Sequence, residues 1–226
     1  TNGDLDQRGV GDVWTMTVEE YLDSPQRKRL AYRLVRNPFV LFVIAPIYLF
    51  LIRERWPIQN AKPREVRSVR FTNLAIACMA GLLIAVFGFW QWLAIQLILT
   101  VVSGGGGIWL FYIQHQYEGT YWERSEDWDY TDAALKGSSY YKLPRILQWF
   151  SGNIGFHHIH HLSPRIPNYH LEACHHSDPI FSEVVPTTIL GSLKALTFRL
   201  WDEERKELIS FRQLNDQLKA EREAVG

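Results

Sequence analysis

Uncharged apolar residues in this chain are concentrated in long runs that polar or basic segments separate. Residues 71–90 and 92–113 carry no charged side chain, and each run matches the about 20 residues that a helix needs to cross a bilayer. Only Gln91, between two tryptophans, separates them. The pattern therefore predicts a tight transmembrane helical hairpin with Trp90 and Trp92 at the far membrane interface, where aromatic side chains are enriched.

A shorter apolar run, residues 39–52, precedes the predicted hairpin. It contains Pro46 and is too short to cross a hydrocarbon core of roughly 30 Å comfortably. Basic residues flank it on both sides, in residues 1–37 and 53–70. We therefore expect this run to be interfacial or re-entrant. If it crosses the membrane instead, residues 1–37 lie on the opposite side from residues 53–70.

The side of the membrane follows from the basic residues next to the predicted hairpin. Residues 53–70 are rich in arginine, so the positive-inside rule predicts that they, residues 114–226 and, with an interfacial or re-entrant run 39–52, residues 1–37 are cytoplasmic. Within this cytoplasmic cap, residues 140–151 have apolar side chains at helical spacing, which fits an interfacial amphipathic helix or a helix packed in the cap. The last forty residues are predicted to form a helix with a solvated charged face. The expected fold is an all-α membrane protein with a single domain, residues 1–226.

The amino-acid composition bears on which partners the protein could bind and on the redox environment in which it folds. The 24 basic residues balance the 24 acidic ones, so the net charge gives no indication of a nucleic-acid partner. Cys78 and Cys174 lie far apart, which excludes a disulfide framework and favours a reducing, cytoplasm-facing environment. Four consecutive glycines, residues 104–107, lie inside the second predicted span. They favour close backbone approach between helices or to an acyl chain, or else a local helix irregularity.

Histidine is concentrated in one short stretch, because four of the chain's 8 histidines lie within residues 157–161. On a helix, His157, His160 and His161 stand at i, i+3 and i+4 and so share one face. Spacing alone does not exclude His158, which lies three residues before His161. Several neutral imidazoles on one face can bind a first-row metal such as iron or zinc. The cluster therefore predicts a metal site.

Other candidate residues lie on either side of this cluster. His115 directly follows the second predicted span, and an ionisable side chain at a membrane boundary is a functional candidate. Glu118, three residues later, could orient His115 through its second N–H, bind the metal, or simply lie at the surface. His170, His175 and His176 follow a proline-rich stretch, and we expect them not to be ligands.

Taken together, these motifs resemble the membrane-bound fatty acid desaturases, a family with three histidine boxes and a further ligand histidine after a late transmembrane span. Residues 152–169, G-N-I-G-F-H-H-I-H-H-L-S-P-R-I-P-N-Y, match the third box, H-x-x-H-H. His115, in F-Y-I-Q-H-Q-Y-E, matches the further histidine. The resemblance implies four metal ligands, His115, His157, His160 and His161, and removes His158 from that set. Glu118, His158 and His170 are then candidates for the shell around the ligands.

The resemblance also implies a chemistry. Two iron ions would use O2 as co-substrate to introduce a double bond into an acyl chain, with a lipid-linked substrate and the Δ12/ω6 position as the expectation. A related acyl hydroxylase or acetylenase would share every motif. The chain has no G-x-G-x-x-G and no Fe–S cysteine pattern. Electrons would therefore come from a partner such as a ferredoxin or a b-type cytochrome.

One departure from the family pattern bears on activity. The segment L-D-Q-R-G, residues 5–9, resembles the family's sequence just after the second box, yet the first two boxes are absent from this chain. We therefore expect a desaturase that is incomplete at its N-terminus and inactive on its own, because four ligands are too few for two irons. Two further hypotheses are a membrane scaffold without catalysis and a non-catalytic site for zinc or haem.

Overall fold

Helices dominate the structure. The computed structural model describes residues 3–8 and 13–225, and 62% of the chain is helical, in agreement with the all-α prediction. The chain divides into two compact units, and each is described by itself. One unit is Leu30–Leu110, and the other combines Thr1–Arg29 with Phe111–Gly226.

The helices and strands follow one another in this order. The α-helices are α1 (Val18–Asp23), α2 (Gln26–Val35), α3 (Ala45–Leu51), α4 (Pro63–Phe87), α5 (Phe89–Leu99), α6 (Gly105–His115), α7 (Tyr130–Leu135), α8 (Arg145–Phe150), α9 (His157–Leu162), α10 (Leu171–His175), α11 (Pro179–Ser182), α12 (Ile189–Ala195) and α13 (Phe211–Val225). Short strands are β1 (Met16–Thr17), β2 (Tyr140–Tyr141), β3 (Pro186–Thr187), β4 (Leu200–Asp202) and β5 (Glu207–Ile209). Two π-helical turns, Val40–Ile44 and Thr100–Gly104, and two 3₁₀ turns, Arg53–Arg55 and Asn168–His170, complete the set.

Two continuous helices are long and apolar enough to cross a membrane. They are Pro63–Phe87, with 25 residues, and Phe89–His115, with 27 residues, which joins α5, a π-helical turn and α6. The break between them lies at Gly88, not at Gln91 as the sequence pattern predicted. Gly88 has φ +87°, a left-handed conformation that costs glycine little and other residues more. Trp90 therefore belongs to the first turn of α5.

The short apolar run of residues 39–52 forms a π-helical turn followed by α3. Helix α2 and the segment Val40–Arg55 meet at a bend of 63°, which fits either one broken span or a re-entrant loop. The expectation that this run is interfacial or re-entrant stays a prediction.

The glycine run shows both of the features that its sequence suggested. A side chain at Gly104 would place a Cβ 2.9 Å from atoms of Pro46 and Phe50, so the helix approaches α3 closely there. The turn Thr100–Gly104 is also π-helical, which is a local irregularity in the helix.

The unit that carries the histidines contains the strands. β1 lies parallel to β4, β4 is antiparallel to β5, and β2 lies parallel to β3. The prediction of one helix over the last forty residues is wrong for residues 200–209, which form the β4–β5 hairpin. Leu200, Trp201 and Ile209 are buried in this hairpin, and Lys206 takes the positive φ of its turn. Tertiary burial of these apolar residues outweighs the helical preference of the charged residues between them.

Candidate metal centre

Helix α9 is held in place by apolar side chains on one of its faces. Phe156, just before the helix, and Ile159 are 2% and 0% exposed, and they form a buried cluster with Leu171. With these side chains packed inward, helical periodicity turns His157 and His161 away from the cluster. The helix ends at Leu162, because Ser163 has the extended φ and ψ that the following Pro164 favours.

Three histidines converge at this helix. Nε2 of His157 lies 3.0 Å from Nε2 of His115 and 3.0 Å from Nε2 of His161. One ligand nitrogen from each of the three lies within 4.8 Å of the other two. His115, at the end of α6, and His157 are almost fully buried. The structure thus brings together three of the four predicted ligands, from two helices far apart in sequence.

Hydrogen bonding alone does not account for this arrangement well. A neutral imidazole carries one N–H and one lone pair, and the single Nε2 of His157 faces two other ring nitrogens at 3.0 Å. Two nitrogens that each lie about 2.1 Å from a metal ion at right angles are themselves about 3.0 Å apart. A cation bound among the three rings would use all three lone pairs at once. The donor set therefore fits a first-row metal ion.

The surroundings keep these imidazoles neutral. Burial, followed by the neighbouring His115, holds the pKa of His157 well below the ordinary value of 6.5. Burial, followed by His160, lowers the pKa of His161 from 6.5 to about 4. Neutral rings offer free lone pairs at neutral pH, as metal binding requires.

His160 lies beside the three converging histidines but is not one of them. Its ring stacks on that of His157, with ring centroids 5.7 Å apart and an interplanar angle of 25°. Together with His161, Trp128 and Tyr130, it lines a cavity of about 290 Å³. His160 is therefore placed to complete a larger shell, and its role as a ligand stays a prediction.

His158 faces a different partner. Its Nε2 lies 3.0 Å from Nδ1 of His175, and the two residues are 0% and 4% exposed. Burial, followed by His175, lowers the pKa of His158 to about 4, so one neutral ring donates to the other. The pair ties α9 to α10. The position of His175 beyond a proline-rich stretch did not indicate whether it would be buried.

The remaining candidates lie outside the converging group. The Glu118 carboxylate is exposed and lies 2.6 Å from Nζ of Lys194, with which it forms an ion pair. His170 is exposed and its ring packs on Tyr169, with centroids 4.6 Å apart. His176 is also exposed. Their roles around the metal centre stay predictions.

Two polar residues that the sequence reasoning missed position the ligand helices. The Gln114 side chain donates from Nε2 to the carbonyl of Ile154 at 2.7 Å, which ties the end of α6 to the loop before α9. The Tyr130 hydroxyl lies 2.9 Å from the carbonyl oxygens of His161 and Leu162 and caps the end of α9. Gln114 could have been found in the sequence, since it is a polar residue next to His115 at the end of an apolar run. Tyr130 has no such signal.

Gly155 is the point of closest packing next to the histidines. A Cβ there would lie under 3 Å from the Tyr141 carbonyl oxygen and from the Gln148 amide. We expect Gly155→Ala to destabilise this unit by about 1–3 kcal/mol, the usual range for overpacking, and to weaken metal binding by shifting His157. Thermal unfolding in detergent and a Co²⁺ titration measure the two effects.

Gly106→Ala is the matched control, because a Cβ there meets nothing within 4 Å. Alanine is preferred to glycine in a helix by about 1 kcal/mol, so this variant should keep or raise the unfolding temperature. Equal unfolding temperatures for the two variants would contradict the packing argument.

Comparison with known proteins places these features in a family. Residues 4–188 match the fatty acid desaturase family. A fatty acid desaturase of Bacillus subtilis is 49% identical over 216 residues, which are 95% of this chain and 61% of that protein. The sn-1 oleoyl-lipid 12-desaturase of Synechocystis is 26% identical over 170 residues, which are 74% of this chain and 47% of that protein. The chain therefore spans about half to three fifths of the length of these relatives.

Proposed function

The chain belongs to the fatty acid desaturase family, and from this premise we propose that it supplies one wall of a di-iron centre that desaturates acyl chains. The observation that carries the proposal is the convergence of the Nε2 atoms of His115, His157 and His161. In this proposal His160 is the fourth ligand of the wall, and histidines of a longer chain supply the others.

The chemistry explains why the site is built from imidazoles. A saturated acyl chain offers no polarised bond, so acid or base groups cannot begin the reaction, and bound iron supplies the activation of O2 that removes two hydrogens. This chain's residues hold and orient that centre. Helix α9 is fixed by the packing of Phe156 and Ile159, by the His158–His175 pair and by the Tyr130 cap. The Gln114 side chain fixes the end of α6.

The substrate proposed is a lipid-linked acyl chain in the membrane. His115 is the last residue of the candidate span Phe89–His115, so the ligand set begins at a membrane boundary. The Synechocystis relative is named for a lipid-linked substrate and the 12 position, which supports a Δ12/ω6-like specificity for this chain. Positioning of the chain then decides which two carbons react.

An electron donor and an orientation belong to the same proposal. Electrons come from a ferredoxin or a b-type cytochrome, and no nucleic acid takes part. The metal centre faces the cytoplasm or a stroma-like compartment, because the basic residues 53–70 favour that side for the connection before α4 and for the first turns of α4.

The proposal is tested by joining the upstream part of the Bacillus subtilis relative to this chain ahead of residue 4. At 49% identity, the two proteins should share the geometry of the centre. We expect the chimera to bind two irons and to produce monounsaturated or diunsaturated acyl lipids, measured by mass spectrometry with O2, lipid and an electron donor. A chimera with two irons that yields only hydroxylated or unchanged acyl chains would contradict desaturation, and a centre loaded with zinc instead would favour a non-catalytic site.

The 226-residue chain alone should produce no double bond under the same conditions. One converging group of three histidines occurs among residues 3–8 and 13–225, and His160 lies beside it. These four histidines are too few ligands for two iron ions. The intact Bacillus relative serves as the positive control in the same assay. A new double bond made by the purified 226-residue chain would refute the prediction.

A further inference from the structure

Helix α8, which is the helix predicted within residues 140–151, turns its apolar side chains outward. Trp149, Phe150 and Ile146 are 74%, 72% and 66% exposed, although a packed helix would bury them. Gln148 is the buried residue of the helix, and its side-chain amide packs against Gly155. The helix is thus inverted relative to the surface helix of a water-soluble protein, with its polar residue inside.

Helix α12 has the same inversion. Leu190 and Leu193 are 80% and 52% exposed, whereas Ser192 and Ala195 are buried. The Ser192 hydroxyl donates to the carbonyl of Ile189 at 2.7 Å and lies 3.3 Å from the hydroxyl of Tyr141. The small side chains of Ser192 and Ala195 therefore face the protein, and the large apolar side chains face outward, as does Lys194, which pairs with Glu118.

Both helices follow strands of the same small sheet. β2 lies parallel to β3, with Tyr140 opposite Pro186 and Tyr141 opposite Thr187. Parallel strands end at the same edge. Helix α8 follows β2 after three residues, and α12 follows β3 after one residue. The two inverted helices consequently start from the same edge of the β2–β3 ladder.

Hydrogen bonds connect both helices to the end of a candidate membrane span. The Tyr112 hydroxyl donates to the carbonyls of Ala195 and Phe198, at 3.2 and 3.1 Å, at the end of α12. Gln114 holds the carbonyl of Ile154, in the loop that follows α8. Tyr112 and Gln114 both belong to the last turn of the span Phe89–His115. The end of α12 and the loop that follows α8 are therefore both tied to the residues with which that span ends.

We infer that α8 and α12 together form a lipid-contacting surface, which inserts its apolar side chains into the boundary between headgroups and acyl chains. Exposed Lys142, which precedes α8, and exposed Arg145, its first residue, suit anionic headgroups, and tryptophan such as Trp149 is enriched at this depth. Of the two interpretations that the sequence left open for residues 140–151, the structure favours the interfacial helix, because a packed helix would not expose these side chains.

The test uses single nitroxide labels on the full chain, reconstituted into vesicles of phosphatidylcholine and phosphatidylglycerol. Labels at Phe150→Cys and Leu190→Cys, with the native cysteines replaced by alanine, report the two helices. Both positions are exposed, so a label displaces no packed atoms. The membrane reference is a label on native Cys78, exposed on α4, with Cys174→Ala. The aqueous control is Arg212→Cys on α13, where the native side chain is 93% exposed.

Power-saturation measurements then compare collisions with O2, which partitions into lipid, and with a water-soluble nickel chelate. We expect the ratio of O2 to nickel collisions at positions 150 and 190 to be severalfold higher than at 212 and to approach that at 78. A ratio equal to that at 212 would overturn the inference by showing that these helices face water. An immobilised label shielded from both reagents would overturn it by showing that another protein segment or a second copy covers the surface.

Discussion

His157→Ala should abolish metal binding by the site and, in the chimera with the Bacillus relative, desaturation. In the proposed centre His157 is the central ligand, because its Nε2 is the nitrogen that lies 3.0 Å from both of the others. Removing an outer partner of a metal ligand typically weakens binding about 10–100-fold, and loss of the central ligand should exceed this. Co²⁺ titration monitored by absorption, together with iron content and product analysis, measures the effect.

His170→Ala is the matched control for this experiment. His170 belongs to the same histidine-rich segment, is exposed and packs on Tyr169 rather than on the converging rings. It should retain metal binding and product formation close to those of the unchanged protein. If both variants bound Co²⁺ equally well, the assignment of the metal centre to His157 would be wrong.

Phe156→Ala should cause the largest loss of stability, at about 3–5 kcal/mol, as expected when a fully buried aromatic side chain is removed from a core. Phe156 is 2% exposed, packs with Ile159 and Leu171, and stacks on Tyr140 with ring centroids 5.0 Å apart. Since this cluster holds α9, loss of Phe156 should also weaken Co²⁺ binding. Thermal unfolding of the detergent-solubilised chain measures the stability change.

Phe150→Ala offers the same chemical change six residues earlier. Phe150 is 72% exposed, so its removal leaves no cavity and should change the unfolding temperature little. A similar decrease in unfolding temperature for both variants would show that the buried cluster does not support α9 in the way that the structure suggests.

Local sequence pattern predicted several elements well and placed others wrongly. The uncharged runs identified the helices that include residues 71–90 and 92–113, because length and lack of charge suffice for a candidate span. The position of the break could not be predicted, since Gly88 rather than Gln91 takes the positive φ that ends α4. The β4–β5 hairpin was missed because burial of Leu200, Trp201 and Ile209, which no local pattern reveals, decides its conformation.

The sequence also predicted the positions of some histidines and could not predict those of others. Spacing on one helix grouped His157 and His161, and the position of His115 after an apolar run made it a candidate. Spacing could not distinguish His158 from the others, because helical periodicity also puts it three residues before His161. The contact with His175 distinguishes it, and that contact depends on how α10 packs against α9.

By itself, the sequence determined the presence of apolar spans, a histidine cluster with the spacing of metal ligands and a resemblance to the desaturases, because hydrophobic length and short ligand motifs are local properties. Only the tertiary structure decided which rings converge, which histidines pair instead, and which way α8 and α12 face. These features depend on contacts between residues such as His115 and His157, 42 positions apart, and Tyr112 and Ala195, 83 positions apart. Local periodicity carries no information on such contacts, because they form only when separate helices and strands pack together.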